Sequence, residues 1–376
     1  MIYNYSNLVD KLLAWYDENK RDLRWRRDPK PYYVWVSEIM LQQTRVEAVK
    51  DYFDRFIEAL PTIEALAMEK EDKLMKLWEG LGYYNRVRNL QKAAVTVMSE
   101  YNGELPQDYE ALLKLSGIGS YTAGAIASIA YDIRVPAVDG NVLRVTKRIA
   151  GSFDDISKAS VKKELEQDLK EIMPERAGDF NQSLMELGAT ICIPNGKPLC
   201  EECPVKEECK GYHLDIMLQI PVKPAKKPRR IEEKTVILME YQSKYAIHQR
   251  EKKGLLAGLW ELPNIEGVLS LSDLEDKLAE LGIIEYDIEL LGKAKHIFSH
   301  IEWRMLGYQV RINKMEKQKD MILLQPPSGW TNQEELVWVD KNQLKNEYAL
   351  PTAFEAYKSW NLSESRSSKK DSKSII

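Results

Sequence analysis

Four cysteines, Cys192, Cys200, Cys203 and Cys209, fall inside one short segment, and the chain of 376 residues has no others. Thiolates gathered this closely suit a tetrahedral zinc ion or an iron-sulfur cluster. Zinc sites commonly pair two C-x2-C knuckles, whereas here a single C-x2-C has a longer gap on each side, so spacing alone leaves zinc and 4Fe-4S open. Two carboxyls carry a second kind of chemistry. Glu38 stands in the apolar run VWVSEIMLQQTR; desolvation among Ile39, Met40 and Leu41 would raise its pKa toward the range of a general acid. The competing reading is a solvated Glu paired with Arg45 or Gln42. Asp139, in RVPAVDGNVLRV, precedes a helical pattern and is a preferred N-cap type. Held there beside helix-end donors it would stay ionised and could stabilise or attack a sugar cation. An acid at the leaving group and an anion opposite an oxocarbenium-like centre are what cleavage of a base-sugar bond needs.

Between these carboxyls lies LSGIGSYTAGAI, with a Gly-x-Gly turn at Gly117 and Gly119 followed by Ser120 and Tyr121. Such a turn brings backbone N–H groups to a helix N-terminus, where phosphate is favoured; a plain helix-helix turn is the alternative. From Ser6 to about Leu214 the apolar spacing is helical, which predicts an all-helical domain or pair of lobes. QIPVKPAKKPRR, residues 219–230, has three prolines and five cations without an anion and reads as an extended linker. After it, short runs such as TVILMEY, YAIHQR and RMLGYQVRI alternate as strands do. Helical stretches near Leu271–Leu281 and Thr352–Trp360 make this part α+β. The ending SESRSSKKDSKSII is polar and aperiodic and is expected to be disordered.

The net charge of −4, with the acid excess before residue 218, excludes a binder that works by bulk positive charge. A nucleic-acid face would need local cations, here Arg24, Arg26, Arg27, Lys30, Arg86, Arg88 and those of 223–230. The first residues lack a secretory pattern and no run of about 18 apolar residues exists to span a membrane. A cytoplasmic protein with no membrane partner is expected.

The cysteine segment, LSGIGSYTA and VPAVDGNV together resemble the helix-hairpin-helix DNA glycosylases that carry a 4Fe-4S cluster. More narrowly, SEIMLQQTRV, GLGYYNRVRNL and FNQSLMELG resemble the MutY adenine glycosylases, which remove adenine mispaired with 8-oxoguanine; the likeness runs over residues 6–214. The resemblance implies a 4Fe-4S cluster on Cys192, Cys200, Cys203 and Cys209, although the first gap here has seven intervening residues where the family usually has six. It implies that Glu38 protonates the flipped adenine, that Asp139 stabilises or transiently bonds the sugar cation, that Asn141 orients Asp139, and that Tyr121 lies near the reacting sugar. Arg26, Leu41 and Gln182, with Trp25, would line the adenine pocket; Gln43 and Tyr83 would fill the duplex beside the extruded base. Arg86 and the turn residues Gly117, Gly119 and Ser120 would meet the DNA backbone. Lyase-competent relatives have a Lys where this chain has Tyr121, so hydrolysis without a Schiff base is expected.

The second part resembles Nudix hydrolases in YAIHQR and GLLAGLWELP, but LSDLEDKLAELG lacks their clustered glutamates, and no pyrophosphatase activity is expected. Its run HIFSH matches the loop by which the MutY second domain reads oxidised guanine, through Phe298, Ser299 and His300 here. The expected architecture is therefore multidomain. An all-α helix-hairpin-helix glycosylase domain with its 4Fe-4S cluster occupies 1–218, with the hairpin near 111–127 and the cysteines at 192–209. The linker 219–230, an α+β Nudix-like lesion-recognition domain at 231–360 and a disordered tail at 361–376 follow. The expected partner is duplex DNA holding an adenine:8-oxoguanine mispair, met by a monomer.

Overall fold

The computed structural model describes residues 3–224, 227–315 and 335–358, so the expected tail and the end of the last helical stretch lie outside the described residues. They form two compact units, 3–69 with 85–224, and 70–84 with the residues from 227 on. None of the described helices is long and apolar enough to cross a membrane.

The first unit is helical. Its elements are α1 (Val9–Asn19), α2 (Arg24–Arg27), α3 (Pro31–Leu41), α4 (Val46–Ala59) and α5 (Ile63–Met68), then, after α6 (Glu71–Leu77) of the other unit, α7 (Asn85–Glu100), α8 (Tyr109–Leu113), α9 (Ser120–Tyr131), α10 (Gly140–Ala150), α11 (Ala159–Glu171), α12 (Ala177–Thr190) and α13 (Lys210–His213). Helix α3 begins with Pro31 at its first turn, where a missing N–H costs nothing, and is buried almost all round from Tyr32 to Met40. It packs against α9, whose small residues bury everything from Thr122 to Ser128. Gly124 is required there, because a Cβ would stand 2.2 Å from the Pro136 carbonyl oxygen. A second core joins Leu8 and Leu12 to Val142, Val145, Leu165, Phe180, Leu184 and Leu187, with Cys192, Cys203 and Cys209 packed on its margin.

The second unit is built on a seven-stranded sheet among the described residues: β1 (Arg230–Tyr241), β2 (Lys244–Gln249), β3 (Trp260–Glu261), β4 (Asn264–Glu266), β5 (Ile283–Ile297), β6 (Ile301–Met315) and β7 (Val337–Val339). The order is β3-β2-β1-β6-β5, with β4 on β1 and β7 on β2. The long β1 runs parallel to β6 from Arg230↔Ile301 to Tyr241↔Ile312, and β5 pairs antiparallel with β6. Alternation along β1 sends Val236 and Leu238 into one core and Ile237, Met239 and Tyr241 into another, so the sheet is covered on both faces. Helix α14 (Leu271–Glu280) starts in a capping box of Ser270 and Asp273, close to the expected span. The stretch from Thr352 is a 3-10 helix, Thr352–Tyr357.

One feature departs from the sequence reading. Lys70–Tyr84 lies within 1–218 yet belongs to the second unit. Its Lys76 Nζ donates to the Leu344 and Tyr348 carbonyls at 3.1 and 3.0 Å, and Leu350 N donates to Glu79 Oε1 at 3.0 Å. The first residues of the expected linker are anchored by hydrogen bonds: Arg148 Nε donates to the Ile220 carbonyl at 2.8 Å and Ile156 N to that of Val222 at 3.2 Å.

Candidate active site

A cavity of about 700 Å³ opens in the first unit, walled by the end of α3, the 117–121 turn and the start of α10. That volume suits a nucleotide-sized ligand. Of the residues singled out in the sequence, Leu41, Gln43, Gly117, Gly119, Ser120, Tyr121, Asp139 and Asn141 line it. Gly117 holds φ +77° and a Cβ there would meet that of Asn89 at 2.7 Å, which makes the tight turn a glycine position. Gln43 also sits at positive φ, +60°, a strained placement for a side chain of this kind.

Glu38 stands behind this wall. It is 6% exposed, and the Tyr121 hydroxyl donates to its Oε2. Burial pushes the Glu38 carboxyl up to about 7; the Tyr121 hydrogen bond lowers it, nearby Asp139 raises it and Arg26 lowers it. The desolvated reading of Glu38 therefore holds over pairing with Arg45 or Gln42. Asp139 is the N-cap of α10, as its residue type suggested: Oδ1 accepts from Asn141 N and Val142 N at 2.8 and 2.7 Å. Asn141 Nδ2 donates to the other oxygen at 2.9 Å. Burial nonetheless pushes the Asp139 carboxyl above its ordinary value, against those donors and Arg144.

Arg26 and Gln182 come together away from the cavity wall, Nε donating to Gln182 Oε1 at 3.1 Å. Trp25 is 5% exposed and meets Phe53 edge-on at 5.0 Å, which is core packing. Arg86, expected at the DNA backbone, has a different employment: its Nη1 donates to the carbonyls of Ile39, Met40 and Gln42 at 2.8, 3.0 and 2.6 Å. A helix end leaves its last carbonyls without intrahelical donors, and the guanidinium satisfies those of α3. Of the cations expected to gather on a DNA face, Arg24, Arg27 and Lys30 are in exposed ion pairs with Asp54, Asp22 and Asp28. Lys162, which the sequence reading passed over, lines the cavity, and its Nζ donates to Ser120 Oγ at 2.9 Å.

The four cysteines line one small cavity of their own. Burial pushes the Cys203 thiol up to about 12, and burial is also the main cause that raises Cys200 and Cys209; neighbouring cysteines add to all three. Thiols crowded this way ionise when a cationic group joins them, so the donor set fits one. Among the described residues no three Cys, His, Asp or Glu side chains converge to hold a metal ion; the thiols surround a space instead. Arg144 links this region to the acid pair: Nε donates to the Cys192 carbonyl at 3.0 Å and Nη1 to Asn141 Oδ1 at 3.1 Å.

In the second unit the Phe298–His300 turn joins β5 to β6, closed by Phe298 N donating to the Ile301 carbonyl at 2.8 Å. The Phe298 ring meets those of His296 and Trp303 at 4.6 and 4.9 Å. Tyr83, at φ +47°, places its hydroxyl 3.0 Å from Ser299 Oγ. Two residues singled out separately in the sequence thus meet within this unit.

Residues 36–174 match the family model described as HhH-GPD superfamily base excision DNA repair protein, and residues 235–359 match that of the NUDIX domain. Among solved structures, the chain resembles a thermostable thymine-DNA glycosylase, with a TM-score of 0.51 and 29% identity over 56% of this chain and 97% of that one. A non-covalent endonuclease III–DNA complex follows at 0.50 and 25%, covering 57% and 99%. Helical fold, hairpin and buried carboxyl pair therefore define a helix-hairpin-helix base-excision DNA glycosylase with a Nudix-like second domain. The adenine DNA glycosylase of Rattus norvegicus is 35% identical over 88% of this chain and 76% of its own length, and that of Homo sapiens 36% over 86% and 70%. The chain belongs to this family, the adenine DNA glycosylases, hydrolases of N-glycosyl bonds.

Proposed function

We propose that the protein removes adenine paired with 8-oxoguanine or guanine by hydrolysis alone, leaving an abasic site. The observation that carries this reading is the buried Glu38–Tyr121 pair beside Asp139: a carboxyl titrating near 7 is half protonated at neutral pH, the optimum for a general acid. Once the adenine is flipped from the stack, Glu38 gives its proton to the base. The bond from sugar C1′ to the base breaks with its electron pair leaving on adenine. Asp139, fixed by Asn141 and the α10 N-terminus, faces the resulting cation until water adds and loses a proton. Tyr121 holds Glu38 in place and, having no amine, forms no Schiff base. Leu41, in the cavity wall, meets the adenine, and Gln43 and Tyr83 fill the gap it leaves.

Phe298, Ser299 and His300 read the oxidised guanine opposite. Cys192, Cys200, Cys203 and Cys209 would hold a 4Fe-4S cluster; four thiols lining one cavity support this, and the group would supply a structural cross-link. The seventh residue in the first gap is accommodated where Pro194, Gly196 and Pro198 shape the loop, Gly196 at φ +78°. The protein acts as a monomer. Duplexes holding adenine opposite 8-oxoguanine, with thymine glycol controls, test the reading. Free adenine with strand breaks only after alkali is expected; breaks without alkali, or no adenine, overturn it.

A further inference from the structure

Behind the acid pair lies a buried charge cluster that no catalytic step above uses. Glu186, on α12, is fully buried. Its Oε1 accepts from Arg21 N at 3.1 Å and Arg21 Nε at 2.6 Å, and its Oε2 from Arg21 Nη2 at 2.9 Å and Arg26 Nη2 at 2.8 Å. Two guanidiniums thus share one carboxylate, leaving one positive charge in excess. Both oxygens are fully used, and the arrangement holds the carboxyl down at about 2, so it stays ionised through the working range. Arg26 is also held by Gln182 Oε1 at 3.1 Å and by the Arg21 carbonyl at 3.2 Å. Loss of Glu186 alone therefore leaves it two anchors.

Among the described residues, Glu38 feels the Tyr121 hydrogen bond from α9, the charge of Asp139 at the start of α10, and the positive charge of Arg26. Tyr16 of α1 lies under Arg26, 5.6 Å from its guanidinium carbon, and Glu47 of α4 is the further carboxylate acting on Arg21. We infer that Glu186 and Arg21 are positioning residues that set how much positive charge Arg26 presents to Glu38, and so the pH range over which Glu38 keeps its catalytic proton. Charge reaching a desolvated carboxyl is weakly screened, and an unbalanced guanidinium favours the carboxylate over the acid.

The inference rests on Glu38 as the acid, and it yields shifts of opposite sign. Removing the negative charge with Glu186→Gln leaves two uncompensated guanidiniums, draws the proton from Glu38 more readily, and moves the alkaline limb of the rate profile to lower pH. Arg21→Met leaves Glu186 to Arg26 alone and moves that limb to higher pH. Glu186→Gln with Arg21→Met restores one excess charge and returns the limb to its starting place. Each single shift is expected at about half a unit to one unit.

The test is single-turnover adenine release by the full-length variants, on a duplex with adenine opposite 8-oxoguanine, from about pH 5 to 9. A merely structural role would lower the rate at every pH and leave the limb where it was. Should Glu186→Gln not fold, Arg21→Met, at a part-exposed position, and the charge-balanced double variant still decide. A limb unmoved in folded Arg21→Met overturns the inference. If Glu38→Gln itself releases adenine at the unaltered rate, the acid reading beneath it falls, a separate result from an unmoved limb in an enzyme that needs Glu38.

Discussion

Around Glu38 each polar group is buried or half-buried and bound to another: Tyr121 to Glu38, Asn141 to Asp139, Arg144 to Asn141. Around the 298–300 turn the arrangement is the reverse, with Ser299 and His300 exposed and the turn held by Phe298 packed edge-on against Trp303. Lys234 and Arg250 add cation–π contacts to that indole at 4.9 and 5.7 Å, and its Nε1 donates to Glu232 at 2.8 Å. Chemistry that depends on a perturbed carboxyl needs low dielectric and fixed partners. Reading a base needs donors presented to the outside on a stiff support. On the proposed function, the difference predicts that substitutions in the first region change rate and its pH dependence, while substitutions in the second change which mispair is preferred.

The largest effect expected is at the buried carboxyls. Asp139→Asn and Glu38→Gln should each lower single-turnover adenine release by about 10²–10⁴-fold while gel-shift affinity for the mispaired duplex stays near normal; a rate within tenfold of the starting enzyme for either variant removes its role. At the turn, Phe298→Ala and His300→Ala should reduce the preference for 8-oxoguanine over guanine opposite adenine by about tenfold each, with adenine release from the adenine:guanine duplex barely altered. If rate falls equally on both duplexes, the contrast between the two regions is lost.

Tyr121→Phe isolates one bond. The hydroxyl favours the ionised form of Glu38, so its loss raises the carboxyl and carries activity to higher pH; a limb that stays put or moves down contradicts the pairing. Smallest in catalytic terms is Arg86→Met, which uncaps α3 and should cost about 1–3 kcal/mol in urea unfolding. Its DNA affinity should fall no more than that loss explains.

How much of this was legible depends on how local each signal is. Asp139 as N-cap followed from its residue type before a helical pattern, and the all-helical and α+β division followed from periodicity. Glu38 was ambiguous because a helix pattern shows which side chains share a face, not whether that face meets water; packing of α3 on α9 decided it. Arg21, Arg26 and Glu186 were beyond reach as a cluster, since their bonds join positions 160 and 165 residues apart and each charge alone reads as a solvated face. The fourfold spacing of Gln182 and Glu186, and of Arg144 and Arg148, was the one hint available. Lys70–Tyr84 misled for a related reason: its helical spacing is the same whichever core receives it. The reader of the 298–300 turn could find its aromatic and polar side chains by resemblance, but not the Trp303 platform, which depends on β1 and β2 as much as on β6.

The burial of Glu38 also has a consequence for folding. A carboxyl that titrates near 7 in the folded chain, against its ordinary 4.5, binds its proton more tightly when folded than when unfolded. Below about pH 4 it is protonated in both states and contributes nothing. As the pH rises through this window the folded state loses stability, on the order of 3 kcal/mol once both values are passed. An amide at that position carries no such load and can still accept from Tyr121. Glu38→Gln should therefore resist urea better than the natural chain at pH 8 and equally at pH 4, so that the dead enzyme is the sturdier protein.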